Sequence, residues 1–526
     1  MSWTVWLVSV LANSPTTLSL TSLCSFLRIS PSTSGGATST SYGGVISGAG
    51  GLTQAGTGTL TLTAVNTITG PVNVNSGTIA LSGAGALATT AITTLAGGTL
   101  ATDGGALNTN AVISNGGILA LTGGTETVNS VSGAGAIQLN TGSLTLDSGA
   151  SAISGVISGT GSLTVTGTSV TTLTGVNTAT GATNVTGGTL NITGAGSVAS
   201  TAVNVSSGTL TTDSDALGAG TTVAVSGTGT FTSSGTDSFA ALTQSGGTID
   251  GSGVLTLSGA FTQSGGTTGG TVDINSATFT QSGGAVIAAG TTVTSTGAQS
   301  LQGGTIAGNL DGAGAITAAS GTTNITGAVT NAASFSVTGG TVNVNGAGTI
   351  DTAGNTVSVS AGALSTDGGA LEAAATATVS GTGTLSTSGT EAITAINQTG
   401  GTVGGSGTFN LSGAFTQSGG STGGSVDINA ATFTQSGGAT VAAGTTVTST
   451  GAQTLQGGTI AGALDGAGAV TVNTGTTTLT GTISSTSIDI QAGGTLSSNG
   501  GGLAAAAAVT NNGALALTGG GDESIA

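Results

Sequence analysis

The sequence predicts an all-β protein, a parallel β-helix (β-solenoid) with coils of about 19 residues. Three observations predict this fold. Short runs alternate apolar and polar residues, paired glycines recur at a nearly constant spacing, and a long block of sequence is duplicated. Alternation places successive side chains on opposite faces of a strand. Self-similarity at a fixed period is typical of stacked-repeat architectures.

The alternating runs are short, as in Thr59–Thr63, Val72–Asn75 and Leu163–Thr166. Each run carries aliphatic residues on one face and Thr or Asn on the other, and Gly, Asn and Ser turns bound it. Strands this short cannot each enclose a core. Coils stacked along an axis can bury the aliphatic face continuously, which favours a solenoid.

The repeats have two periods. Gly-Gly pairs begin at 246, 265, 283 and 303, and this spacing defines the shorter period. The segment 258–282 returns at 412–436, an offset of 154, with differences only at 267, 271 and 276. The same offset holds without a gap from 213–329 to 367–483, so that block is duplicated. A disordered or silk-like chain is the alternative, but 37% apolar and 4% charged residues argue against disorder.

Composition divides the chain into an atypical N-terminal segment, 1–31, and a repetitive solenoid body, 32–526. The first segment holds residue types that the body lacks: Met1, Trp3, Trp6, Cys24 and Arg28. Two interpretations stay open for it, a remnant of a targeting segment or an unreliable start foreign to the protein. The second is favoured because no basic residue precedes the apolar run. The two apolar runs of this segment, Trp3–Ala12 and Leu18–Leu27, are each shorter than the roughly 18 residues of a membrane-spanning helix.

The charge balance excludes several classes of function. One Lys or Arg stands against 18 Asp and Glu, with no His, which gives a net charge of −17. Nucleic acids and anionic membranes are bound through Lys and Arg, so the sequence predicts neither partner. Beyond Cys24 there is no Cys, His or Lys. That removes Ser/His and Cys/His nucleophiles, zinc sites and an activated lysine.

Paired carboxylates are the remaining route to catalysis. Asp213 with Asp215, or Asp367 with Glu372, would supply the two acids of a glycosidase. However, Asp103 and Asp367 share the context Thr-Asp-Gly-Gly-Ala-Leu, so they recur with the fold. We therefore interpret these acids as turn residues.

Calcium is the one cofactor for which the sequence offers a candidate site. Leu310–Gly314 and its duplicate Leu464–Gly468 each contain an Asp-Gly-Ala-Gly turn. These turns occur singly, whereas calcium-binding Gly-Asp repeats are tandem and a calcium site needs six or more oxygen ligands. The sequence therefore predicts no catalytic, cofactor-binding or metal-binding residue and no cofactor.

Two segments resemble the passenger-associated strand repeat of bacterial autotransporters. Residues 50–81 contain the elements Gly58–Thr63, Asn66–Gly70 and Gly77–Ile79. A second copy, at 159–192, repeats them with Asn177–Gly181 in the central position. The remainder resembles, more loosely, the strand-repeat bodies of very large bacterial surface adhesins.

The resemblance implies a non-enzymatic stalk, the adhesin-like passenger of an autotransporter-type protein, secreted or displayed at the bacterial cell surface in association with the outer membrane. Its expected partner is a ligand on a host or neighbouring cell, or the protein itself. An outer-membrane translocator barrel is expected outside this chain. A carbohydrate-active β-helix enzyme and a self-assembling surface-layer or matrix protein remain alternatives. Gly521–Ala526 matches Gly235–Ala240, which continues into a further strand unit, so we expect this chain to be a fragment that continues past Ala526.

Overall fold

A computed structural model describes residues 3–6, 18–20, 24–29, 39–504, 507–521 and 523. These residues form strands and turns without an α-helix, and their strands pair in parallel. The predicted parallel β-solenoid is therefore confirmed. No helix in the described ranges has the length and apolarity needed to cross a membrane. The interpretation of 1–31 falls mainly outside the described residues, as does that of 521–526, of which only 521 and 523 are described.

The chain forms two compact units, the first made of 1–260 with 266–274. Its first two sheets have seven strands each and its third has four. The first sheet contains Trp3–Trp6, Cys24–Ile29, Gly51–Gln54, Val72–Val74, Ala91–Thr94, Val112–Asn115 and Ser130–Ser132. The second contains Thr40–Tyr42, Thr59–Leu62, Gly77–Leu81, Gly98–Thr102, Ile118–Leu121, Ala136–Leu139 and Ile157–Gly159. The third contains Leu18–Leu20, Ile46–Gly48, Val65–Ile68 and Ala86–Leu87.

Further along, the first unit continues as two rows of stacked strands that meet in the strand Ala241–Gly251. One row contains Thr125–Val128, Ser143–Leu146, Leu163–Val165, Thr183–Val185, Ala202–Val205 and Thr222–Val225. The other contains Ala150–Ile153, Val170–Leu173, Thr189–Ile192, Thr209–Thr212 and Thr230–Ser233. A third row begins with Thr236–Phe239 and Val254–Leu257. Two more strands, Ala260–Thr268 and Asp273–Ser276, hold residues of both units.

The second unit consists of 261–265 with 275–526, and its coils carry up to three strands each. The first row contains Thr278–Ser282, Gln299–Gln302, Ile316–Ala318, Phe335–Val337, Thr356–Val359, Thr376–Val379, Ala395–Gly405, Ala414–Thr422, Thr432–Ser436, Gln453–Gln456, Val470–Val472, Ser487–Ile490 and Ala508–Asn511. The second adds Val286–Ile287, Gly304–Ile306, Thr322–Ile325, Thr341–Val344, Ala363–Thr366, Thr384–Thr387, Thr440–Val441, Gly458–Ile460, Gly475–Leu479, Gly494–Ser498 and Ala514–Leu517. The third contains Thr292–Ser295, Asn309–Asp311, Ala328–Ala332, Thr349–Thr352, Thr390–Ile393, Thr408–Leu411, Asp427–Ala430, Thr446–Ser449, Ala463–Asp465 and Thr482–Ser484.

Each coil places its aliphatic residues directly above those of the preceding coil. In the first unit one such column is buried throughout and consists of Leu60, Ile79, Leu100, Leu119, Ile137 and Ile157. Residues paired between neighbouring coils are one sequence period apart, as in Phe415 with Phe433 and Leu210 with Phe231. The sequence repeat of about 19 residues is therefore the length of one coil. Stacking of the coils makes each column of aliphatic residues continuous within its unit.

The Thr-Gln-Ser-Gly-Gly segments build a different kind of core in the second unit. Phe415 and Phe433 stack with ring centroids 5.4 Å apart, and two residues on, buried glutamines form a ladder. Gln435 Nε2 donates to Gln417 Oε1 at 3.2 Å, and Gln417 Nε2 donates to Gln398 Oε1 at 3.1 Å. A buried amide is tolerated when its polar atoms are paired, and the next coil supplies the donor to the amide oxygens of Gln398 and Gln417.

Replacing the middle glutamine of this ladder should weaken the coils on both sides of it. Gln417→Leu keeps the side chain similar in size but makes it apolar, and it leaves Gln398 Oε1 and the Thr440 carbonyl without their donor. We expect a loss of about 2 kcal/mol, seen as faster amide hydrogen exchange in 395–436. The control is Gln456→Leu at an exposed position. Equal exchange in the two variants would contradict a structural role for the ladder.

Candidate functional site

The surface acids that were candidates for catalysis bind the preceding coil. Asp213 Oδ2 accepts from Gly194 N at 2.7 Å, and Asp367 Oδ2 accepts from Gly346 N at 2.7 Å. Both glycines have positive φ, 67° and 65° respectively, so their N–H groups point out of tight turns. Asp103, which shares the Thr-Asp-Gly-Gly-Ala-Leu context of Asp367, accepts from Gly83 N at 2.9 Å, so this context marks a hydrogen bond between coils.

The other two candidate acids lie apart from these bonds. Asp215 has a left-handed backbone, φ 50°, and its N–H donates to the Thr236 carbonyl at 2.8 Å. Glu372 Oε1 accepts from Thr352 N at 2.9 Å and from Thr352 Oγ1 at 3.1 Å. Asp367 and Glu372 thus bind different turns.

Three acids that sequence reasoning missed are fully buried: Glu126, Asp237 and Glu391. Each accepts hydrogen bonds from backbone N–H groups of the preceding coil. Glu391 accepts from Ala370 N at 3.2 Å and from Leu371 N at 3.1 Å. These N–H groups point inward at the end of a turn, where no strand partner reaches them, and a carboxylate satisfies two donors at once. We call such an acid a carboxylate staple.

Glu126 has the same geometry, and Asp237 binds one backbone N–H and two hydroxyl groups. Glu126 accepts from Ala106 N and Leu107 N at 2.9 and 3.2 Å, and from Thr102 Oγ1. Asp237 accepts from Ala216 N at 2.9 Å and from the hydroxyls of Thr212 and Ser233 at 2.6 and 3.2 Å. Burying a carboxylate is unfavourable unless its oxygens are hydrogen-bonded, and these bonds meet that need.

A sequence signal for the staples exists. Each follows Gly-Thr and lies one coil after the Ala-Leu pair whose N–H groups it binds, or the Ala alone in the case of Asp237. The glycine is required by close approach, because a Cβ on Gly389 would lie 1.9 Å from the Asp367 carbonyl oxygen.

Glu523 repeats the staple near the end of the chain. It accepts from Gly502 N at 3.3 Å and Leu503 N at 3.0 Å, and from Ser498 Oγ. Partial burial opposes ionisation of this carboxyl group, but the three hydrogen bonds outweigh it and lower its pKa.

The calcium candidate Asp311 is occupied by hydrogen-bond donors. Its Oδ1 accepts from Asn331 Nδ2 at 2.8 Å and from Thr330 Oγ1 at 2.9 Å, both one coil further on. The Asn331 bond is the main cause of a lowered pKa, with desolvation opposing it and bonds from Thr330 and Gly312 adding to it. No group of three or more Cys, His, Asp or Glu suited to a metal occurs in the part of the chain that the structure describes.

The Asp311 bonds predict a local acid sensitivity. The pKa lies below its ordinary value of 3.8, so the ionised carboxylate stabilises the fold at neutral pH, and this contribution is lost as the pH falls through the lowered pKa. We expect amide exchange in Ala328–Ala332 to accelerate below about pH 4. Asp311→Asn should remove that acceleration. The control is Asp465→Asn in the duplicate, where Ser485 stands in place of Asn331; an identical response of the two variants would contradict the assignment.

Buried asparagines join three successive coils in both repeats that resemble the passenger family. Asn66 Oδ1 accepts from Ile46 N at 2.9 Å, while its Nδ2 donates to the Ala86 carbonyl at 3.0 Å. Asn177 repeats this with Ile157 N at 2.8 Å and the Ser197 carbonyl at 2.9 Å. The central Asn of the repeat therefore positions the coil before it and the coil after it.

An open cleft of about 660 Å³ lies in the second unit, across the outward side of the row that contains Thr390–Ile393, Thr408–Leu411 and Asp427–Ala430. Its lining is uncharged and consists mainly of Ala, Asn, Ser and Thr. Asn429 Nδ2 donates to Asn410 Oδ1 at 2.8 Å within it. We call this the Asn–Ala cleft. Sequence reasoning did not predict it, because its concavity comes from small residues on different coils.

The passenger-associated transport repeat family matches the chain at 52–81, 163–192 and 250–268. The first two matches coincide with the two copies identified from the sequence, and the third was not anticipated. No curated protein and no solved structure matches the chain significantly. The repeats occur in a parallel β-solenoid whose coils are joined by buried asparagines and carboxylate staples. The chain therefore carries three passenger-associated transport repeats within a parallel β-solenoid, and this combination supports an autotransporter passenger repeat protein.

Proposed function

We propose that this protein is a non-catalytic adhesive stalk, secreted or held at the surface of the bacterium that makes it. Its partner is a ligand on a host or neighbouring cell, with copies of itself as the alternative. The family supports an exported passenger. The adhesive role, the absence of catalysis and the location at the surface are our proposal.

This proposal rests on what the carboxylates of the chain bind. Hydrolysis of a glycosidic bond requires two carboxyl groups facing one substrate cleft. Here Asp213, Asp367 and Glu372 accept hydrogen bonds from neighbouring turns, and the staples are buried. The Asn–Ala cleft has no carboxylate among its lining residues. The acids act in joining coils, and this supports a scaffold with a neutral binding surface.

Adhesion can be tested with the full chain. Beads coated with it should attach to host or bacterial cells more than beads coated with an unrelated protein, and the soluble chain should compete. Antibodies to the chain should label intact cells of the producing bacterium. Hydrolysis of a polysaccharide that is lost in Asp213→Ala or Glu372→Ala would replace the proposal with an enzyme. Failure of the beads to attach, together with ordered assembly of the chain alone, would favour a matrix protein.

A further inference from the structure

We propose that the Asn–Ala cleft binds a neutral oligosaccharide of N-acetylated sugars that lies across successive coils. This inference rests on the proposed adhesive function and names the chemical class of its ligand. It is carried by three features of the cleft: its lack of charge, the hydrogen-bonded pair of Asn410 and Asn429, and the alanines around that pair.

The absence of charge from the lining favours a neutral ligand. An ionised group entering the cleft would lose hydration without gaining an ion pair, which is unfavourable. A neutral ligand with hydroxyl and amide groups exchanges hydrogen bonds with water for hydrogen bonds with Asn, Ser and Thr. The side chains of Ser412, Thr448 and Thr450 supply hydroxyl groups along the cleft.

The asparagine pair fixes the direction of two amides. Because Asn429 Nδ2 donates to Asn410 Oδ1, Asn429 presents Oδ1 as an acceptor and Asn410 presents Nδ2 as a donor. The two groups lie on adjacent coils, about 4.8 Å apart along the stacking direction. An acetamido group carries one N–H donor and one C=O acceptor, so the acetamido groups along an oligomer can donate to Asn429 and accept from Asn410. Since the amides are already oriented, little side-chain freedom is lost on binding.

The alanines supply the apolar part of the site. Ala392 is exposed, Ala431 is half-buried, and both line the cleft beside the asparagine pair. Methyl groups at these positions leave room for the acetamido methyl and for the C–H face of a sugar ring. In the earlier copy of the duplicated block, at the offset of 154, Ser238 replaces Ala392 and Thr256 replaces Asn410. That copy thus lacks both the methyl and the first amide.

The repeat of the coils selects an oligomer rather than a single sugar. Each coil contributes side chains to the cleft, and successive coils are one strand spacing apart. Polar groups and methyl groups therefore recur along the length of the cleft. An extended sugar chain has the same property, with one ring following another.

The test measures binding of the tetramer of N-acetylglucosamine to the full chain by titration calorimetry. The first variant is Asn410→Thr, which the fold accepts because Thr256 occupies the equivalent position. The second is Ala392→Phe, which fills the cleft from an exposed position. Each should weaken binding by about tenfold or more, and the glucose tetramer without acetamido groups should bind about tenfold more weakly than the acetylated one.

Asn343→Ser is the matched control. Asn343 Nδ2 donates to Asn324 Oδ1 at 3.0 Å, so it forms the same kind of rung outside the cleft, and its replacement should leave the affinity unchanged. Undetectable binding by the natural sequence, or equal weakening in Asn343→Ser, overturns the inference. Self-association that Ala392→Phe abolishes, without sugar binding, assigns the cleft to a second copy instead. Beads that attach to cells although the chain binds no sugar leave the adhesive function standing, whereas beads that fail to attach contradict it.

Discussion

Glu391→Ala should lose about 3 kcal/mol of stability or more in the coils on either side of residue 391. The change leaves Ala370 N and Leu371 N buried without an acceptor, and each lost bond involves a charged partner. A solenoid does not unfold as one two-state unit, so the loss is best measured by amide hydrogen exchange. The amides of 363–393 should show the largest increase in exchange relative to the natural chain.

Two variants separate the staple from a general effect of charge. Asp427→Ala removes one negative charge from an exposed position on a strand of the same sheet and should leave exchange in 363–393 unchanged. Glu391→Asp should retain most of the stability, because Asp237 forms a staple at the equivalent position of the earlier copy. If the amides of 363–393 exchanged as slowly in Glu391→Ala as in Asp427→Ala, the hydrogen bonds to Glu391 would contribute nothing to stability.

Phe415→Ala should have the largest effect, a loss of about 4 kcal/mol. Phe415 is fully buried and lies between Ile396 of the preceding coil and Phe433 of the next. Truncation removes the stacked ring contact and leaves a cavity within a column that cannot collapse, because hydrogen bonds fix the distance between strands. Amide hydrogen exchange in 395–436 measures the loss.

The control variant for Phe415 takes its replacement from Ile396, the residue that pairs with Phe415 in the preceding coil. Phe415→Ile places there the side chain that Ile396 already has, and we expect a loss of about 1 kcal/mol, because most of the volume is kept. If Phe415→Ala and Phe415→Ile were equally stable, the stacked rings would not be a packing core and the coils would be held mainly by their backbone hydrogen bonds.

The fold was predictable because one repeat length, that of a coil, sets the positions of its strands, turns and core residues. Alternation in runs such as Thr59–Leu62 determines which residues point inward, and the regular spacing of the glycine pairs determines where each coil closes. The alternation recurs in almost every coil, so an error in one run does not change the predicted fold. The central Asn66 and Asn177 were visible as well, through the resemblance of their segments to a known repeat.

The roles of individual acids were not predictable in the same way. Asp213 and Asp367 attract attention because each lies close in sequence to a second acid, whereas Glu391 stands alone after an ordinary Gly-Thr pair. The donors that Glu391 binds lie a full coil earlier, and their orientation depends on the turn geometry of that other coil. A cleft formed by small residues on separate coils has no contiguous motif at all.

The bonds from Gly194 to Asp213 and from Gly346 to Asp367 bear on how such a gene can lengthen. Asp213 and Asp367 are equivalent at the offset of 154, but the glycines that they bind lie 19 and 21 residues earlier and are not equivalent at that offset. The two intervals differ in length, yet both bonds are 2.7 Å long. A difference of two residues in this interval is therefore accommodated without loss of the hydrogen bond. We expect insertions that keep a Gly-Ala-Gly turn one coil before an Asp to add whole coils without leaving the N–H of the first glycine unpaired.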